Sequence, residues 1–172
     1  MRKRPQSSEH PPYYDHYLNL VKGDDIIRTL KNQVIDIQSV ISAVPEDKED
    51  YAYAKGKWTI KEVLGHLIDV ERIMGYRAIR FARKDKTILP GFDENSFVAN
   101  AQFNKRTLND LAHEFAIVRG SNLASFKHFD ETAMDQMGNA NGKDVSVRAI
   151  LYMIAGHATH HINMIQTKYL LD

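Results

Sequence analysis

The stretch Gly56-Lys57-Trp58-Thr59-Ile60-Lys61-Glu62-Val63-Leu64-Gly65-His66-Leu67-Ile68-Asp69 decides how the chain folds. Thr59 and Glu62 have the spacing of a capping box: the Thr59 hydroxyl accepts the Glu62 amide hydrogen bond, and the Glu62 carboxylate reaches back to the Thr59 amide. A helix therefore starts just after Trp58. From there Ile60, Val63, Leu67, Val70, Met74, Ala78 and Phe81 recur at three- and four-residue steps, the period of one helical face.

Three further seams have the same period. The first is Ile27, Leu30, Val34, Ile37, Ile41 and Val44, ending before Pro45; Asp24 and Asp25 sit where negative charge favours a helix start. The third is Leu108, Leu111, Phe115, Val118, Asn122, Phe126 and Phe129, with Asn104 or Thr107 as its cap. The fourth is Ile150, Ile154, His157, His161, Met164 and Lys168, starting near Asp144 to Ser146 after the turn-rich Gly138-Asn139-Ala140-Asn141-Gly142. Four such seams imply an all-α helical bundle. The connections 45–58 and 84–103 exceed the usual 2 to 8 residues between antiparallel neighbours, which points to crossovers or functional rims. The second holds a short helical piece from Glu94 to Ala101. No internal repeat is visible, and no strand-like alternation competes.

The 172 residues match one domain, 1–172, with residues 1–12 expected as a flexible tail. Charges nearly cancel, 23 Lys and Arg against 22 Asp and Glu, so no global field favours nucleic acid or an anionic membrane, and neither is an expected partner. No apolar run approaches the ~20 residues of a membrane span, and the start of the chain lacks the apolar stretch of a secretory signal, so a cytoplasmic protein is expected. Eight His and no Cys exclude thiolate nucleophiles, Cys-ligated zinc and iron–sulfur clusters; any metal must be held by nitrogen and oxygen.

His157 and His161 are four apart on the fourth seam, one helical turn from each other and in positions otherwise taken by core residues. A buried imidazole must find hydrogen-bond or metal partners, because leaving it unsatisfied costs roughly 1 to 3 kcal/mol. For an isolated pair, hydrogen-bonded core histidines are the simpler account. His66, at the edge of the inward face of the second helix, supplies a third imidazole and shifts the balance towards a metal. Three ligands plus water is the pattern of reactive zinc sites, and four protein ligands that of structural ones. His160, about 100° from His161 on the helix, is the alternative to His157 or a supporting group. The H-E-x-x-H motif is absent, Glu62 and His66 are not in the Glu-x-x-His spacing of di-iron bundles, and a haem held by His66 and His161 leaves the third His unexplained.

With these residues in view, the chain resembles the DinB/YfiT-like superfamily. The resemblance is carried by residues 56–69, by Leu89-Pro90-Gly91-Phe92-Asp93-Glu94 and by His157-Ala158-Thr159-His160-His161-Ile162, and it spans about residues 15 to 170. It implies an up-down-down-up four-helix bundle binding zinc, nickel or a similar divalent ion (manganese and iron being alternatives) through His66, His157 and His161. It also implies a homodimer and a small-molecule substrate. Many members are described as metal-dependent hydrolases, and some transfer low-molecular-weight thiols such as bacillithiol, mycothiol or glutathione.

Three neutral imidazoles leave the full charge on a divalent ion, which favours deprotonating a bound water or thiol; hydrolysis and thiol transfer both need that anion. Without cysteine, the thiol must come from outside the chain. Asp69, one turn after His66, is the candidate base or orienting carboxylate, the alternative being a solvated partner of Arg72. Asp93 and Glu94 are further candidates. Trp58, Tyr76, Tyr152 and Phe92 either line a pocket or fill the core, and Arg77, Arg80, Arg83 and Lys84 read as a solvated stripe at the negative end of their helix. The expected protein is a divalent-metal-dependent hydrolase or thiol S-transferase. The rival is a non-catalytic bundle whose ion is structural, sensing or partner-binding, which a fourth protein ligand such as His160 would favour.

Overall fold

The computed structural model describes residues 3–170. In chain order the elements are α1 (Asp15–Leu18), α2 (Ile26–Ser42), α3 (Ile60–Ala82), α4 (Glu94–Ala101), α5 (Leu108–Phe126), α6 (Glu131–Met134), β1 (Met137–Ala140), β2 (Lys143–Ser146) and α7 (Val147–Met164). A π-helical turn, Ile165–Tyr169, extends α7. The starts are chemical: Asp25, Thr59, Asp93, Thr107 and Ser146 each accept a backbone N–H of the first turn, satisfying donors that helix geometry leaves free. At Thr59 the capping box forms in both directions.

The helices α2, α3, α5 and α7 form the bundle, and two apolar clusters establish its topology. One joins the start of α2 (Ile26, Leu30) to the end of α3 (Met74, Ala78, Phe81), the end of α5 (Phe126) and the start of α7 (Val147, Ile150). The other joins the end of α2 (Ile37, Ile41) to the starts of α3 and α5 (Ile60, Val63, Leu108, Leu111) and the end of α7 (Ala158, Ile162). So α2 and α7 run one way and α3 and α5 the other, which is the up-down-down-up order. The side chains agree. Contacts advance in step from Glu62–Asn104, just before α5, to Glu71–Arg119 between α3 and α5, while Trp58, just before α3, meets Tyr169, just after α7, as oppositely directed helices require.

Between the two clusters lies a polar waist. The Arg119 guanidinium, fully buried, donates to both carboxylate oxygens of Glu71 at 2.9 Å, to the Leu30 carbonyl at 2.8 Å and to Gln33 Oε1 at 3.0 Å. Gln33 in turn donates to the Ala155 carbonyl at 2.7 Å and to Thr159 Oγ1 at 3.0 Å, and Asn122 donates to Glu71. All four bundle helices are thereby tied at one level. Gln33 and Arg119 occupy core positions that the apolar seams do not contain, and Ile27 and Val34 of the first seam are only half-buried.

The stretch 138–142, read as turn-rich with no strand, belongs to a two-stranded antiparallel hairpin over 137–146 that pairs Met137 with Ser146 through Ala140 with Lys143, and the last helix starts only after Ser146. Asn141 and Gly142 both have positive φ, 55° and 70°, the requirement of the tight turn that matches strand twist. The hairpin also anchors the long connection after α3: the Leu89 amide donates to the Asn139 carbonyl and the Asn141 amide to the Leu89 carbonyl, each at 2.9 Å.

Residues 1 and 2 of the expected tail lie outside the described residues. In place of a free tail, the segment that follows lies against the bundle. Arg4 donates to the Leu18 and Val21 carbonyls, Ser146 and Arg148 donate to Glu9, and His10 is buried. Tyr17 packs its backbone onto Gly156 of α7, where a Cβ would lie 2.0 Å from the Tyr17 carbonyl oxygen; only glycine permits this approach. No helix among the described residues is long and apolar enough to cross a membrane.

Candidate metal centre

The capping box fixes where α3 begins, and with it the rotation that turns His66 inward. On α7 the bonds from Gln33 to Ala155 and Thr159 hold the turn that carries His157, and Gly156 lets the N-terminal segment close over it. The antiparallel crossing of α3 and α7 then brings three imidazoles together. His66 Nε2 lies 3.1 Å from His157 Nε2, which lies 3.2 Å from His161 Nε2. All three side chains are buried.

Hydrogen bonding alone does not account for this cluster. An imidazole nitrogen offers one proton or one lone pair, so His157 Nε2 can serve only one of its two nitrogen neighbours. Burial pushes all three imidazoles below the ordinary histidine range, His66 to about 4, and at His157 and His161 the neighbouring imidazoles push in the same direction. They are therefore neutral at pH 7, and the Nε2 atoms that face one another cannot all be paired by hydrogen bonds. A cation at their meeting point satisfies all three at once. The two short separations fit: nitrogen ligands about 2.0 to 2.1 Å from a tetrahedral zinc lie about 3.3 Å apart, and all three ligand atoms lie within 4.8 Å of one another. His161 Nδ1 is buried without a hydrogen-bond partner.

His160 does not join the group. Its Nδ1 faces His16 Nε2 at 3.2 Å, and its ring meets the edge of Tyr17. No other His, Asp or Glu among the described residues completes the three-nitrogen cluster.

The cluster forms one wall of a cavity of about 440 Å³. Trp58 stands over His66 with ring centroids 4.8 Å apart, and Tyr17 meets the edge of His157 at 5.3 Å. Phe92, carried in by the connection that Leu89 anchors, and Met153 add apolar lining; among the described residues Glu94 is the one carboxylate of the cavity and Arg77 the one guanidinium. Trp58 and Phe92 thus line the pocket, while Tyr152 is buried elsewhere and Tyr76 is exposed.

Asp69 is not brought to the imidazoles. Three residues after His66 and about 60° from it around α3, it does not line the cavity, and its charged neighbours are Arg72 and Glu114. Burial raises its carboxyl above the usual range. Arg77 departs from its reading as part of a solvated stripe: it is 6% exposed and faces the cavity. Its signal was its distance from His66, since eleven residues are three turns plus 20°, the same face. Tyr13, Tyr14 and Tyr17 also line the cavity, in a segment without periodicity.

The family model of the DinB superfamily matches residues 35–165. The chain belongs to the DinB superfamily. No curated protein sequence matches it. Among solved structures it is similar to YfiT from Bacillus subtilis, with a TM-score of 0.74 and 15% identity over 96% of this chain and 90% of that one. YfiT is described as a probable metal-dependent hydrolase with an unusual four-helix bundle topology. At that identity the likeness establishes the fold, and the DinB chain's chemistry has to be argued from its own residues.

Proposed function

We propose that this DinB-superfamily protein is a divalent-metal-dependent enzyme acting on small molecules, with His66, His157 and His161 as the metal ligands. One observation carries the reading: three neutral imidazole nitrogens converge on the wall of a cavity, and no fourth protein ligand among the described residues closes the set. That is the donor count of reactive sites. Imidazole donors suit zinc or nickel, with iron as an alternative; manganese prefers oxygen donors. A divalent ion there supplies Lewis acidity, lowering the pKa of a bound water or external thiol so that an attacking anion is available near neutral pH. The description of YfiT favours water as the nucleophile.

The remaining steps belong to the chain. Trp58 and Phe92 shield the reacting centre from bulk water. Burial raises the Tyr17 phenol above its ordinary range, with the nearby Glu94 carboxylate adding to the effect, so it remains a hydrogen-bond donor at pH 7 for a developing oxyanion. Glu94 is the carboxylate in place to accept a proton.

The test is turnover of zinc- or nickel-loaded protein on an ester and amide panel, and on electrophiles supplied with low-molecular-weight thiols. Loaded protein is expected to turn over at least one class. Removing the metal, or substituting His161→Ala, is expected to lower the rate at least ~100-fold, as loss of a main electrostatic catalytic group does. Equal rates with and without metal would contradict the proposal.

A further inference from the structure

The described residues include three buried arginines, and two have carboxylates at hand. Arg119 is paired with Glu71, and Arg148 lies within ion-pair distance of Glu9, Glu131 and Asp135. Arg77, equally buried, has no carboxylate partner among the described residues. Its Nη2 donates to the Pro90 carbonyl at 2.7 Å and its Nη1 contacts Met74 Sδ at 3.3 Å, which uses two of five donors. A guanidinium withdrawn from water without a counter-charge is costly, and such groups are retained where something else completes them.

Arg77 lines two cavities, an apolar one beside Pro90 and Phe97 and the one it shares with the imidazoles, and it is the second whose polar lining suits a charged ligand. Along α3 the wall runs His66, Val70, Met74, Arg77, so the guanidinium and the imidazoles share one face, their Cα atoms about 16 Å apart along the axis. Side chains on a helix lean towards its N-terminus, which points Arg77 back towards His66. Tyr14, buried beside it, has its phenol pushed far up by burial and so stays a donor. Without a metal the cavity's one arginine and one glutamate balance, so the anion site rests on the Arg77 guanidinium itself; a bound divalent ion would add positive charge, and the cavity volume lies within the usual range for small ligands.

We infer that Arg77 binds an anionic oxygen group, carboxylate or phosphate, on a substrate whose reacting bond faces His66, His157 and His161. The position of the reacting bond rests on the metal-site reading; the anion site does not.

Calorimetric titration of benzoate, phenyl phosphate and neutral benzyl alcohol into metal-stripped and zinc-loaded protein tests this. At least one anion is expected to bind stripped wild type at least ~10-fold more tightly than benzyl alcohol; whether benzoate or phenyl phosphate binds better distinguishes the two groups. Arg77→Met is expected to weaken that anion ~10- to 100-fold, the loss of a charge-assisted hydrogen bond, while keeping wild-type metal content. Arg77→Lys, which keeps the charge without the fork, is expected to fall between the two and decides the matter if Arg77→Met does not fold. The inference is overturned if the Arg77 variants bind the anions as wild type does, if anion binding requires the metal and ignores Arg77, or if neither anion outbinds benzyl alcohol. A chain that holds no metal yet binds anions through Arg77 separates this inference from the function proposed above.

Discussion

Glu71→Met is expected to destabilise the protein by about 3 to 5 kcal/mol, because it leaves the Arg119 guanidinium buried without its carboxylate. The loss is a large share of the roughly 5 to 15 kcal/mol that holds a domain folded. Glu71 accepts from Arg119 Nε, Arg119 Nη2 and Asn122 Nδ2, so three donors lose their acceptor together. Arg119→Met is expected to cost a similar amount from the other side. The double substitution is expected to recover most of the loss, since well-packed apolar residues often replace a buried ion pair at little cost. Urea unfolding of the four proteins measures the coupling as a double-mutant cycle. Single substitutions costing under about 1 kcal/mol, or a double substitution no better than their sum, would show that the waist does not hold the bundle together.

The second large effect is on acid stability. In the metal-free protein burial holds His66, His157 and His161 below the ordinary histidine range, and His66 titrates at about 4. Unfolded, each takes up a proton near pH 6.5. Below that pH the unfolded chain binds protons that the folded one does not, so stability falls as pH falls, by up to about 1.4 kcal/mol per pH unit for each histidine. The window opens near 6.5 and, for His66, closes near 4. Denaturant unfolding of stripped protein between pH 7.5 and 5 is expected to show this slope, and zinc-loaded protein to unfold together with release of its metal. Equal stability across that range would mean that the imidazoles are not held neutral by burial.

How much of this was legible in the sequence depends on whether a residue obeyed its local pattern. The α3 start and the pairing of His157 with His161 followed from a capping box and a four-residue step, and the structure has both. The short helix Glu94–Ala101 lies where the sequence reading put it, and the last helix begins at the end of the expected 144–146 range. Arg119 and Gln33 were not legible as core, because a charged or amide side chain inside a seam reads as a gap until its partners on other helices are known. Arg77 was obscured by neighbouring Arg80, Arg83 and Lys84, which made a buried guanidinium look like part of a solvated helix end. The hairpin strands are four residues each, too short for alternation to show. Asp69 illustrates the reverse: a carboxylate near a ligand in sequence points about 60° away from it on a helix.

The central claim is that three imidazoles from two antiparallel helices hold one divalent ion. Elemental analysis of purified protein after zinc loading and desalting, wild type beside His66→Ala, tests it most directly. The account predicts one ion per wild-type chain and, for His66→Ala with unchanged helical circular dichroism, loss of the ion on desalting, since removing one of three ligands leaves only the α7 pair. Retention of one ion per chain by His66→Ala, or no retained ion in wild type, would contradict it.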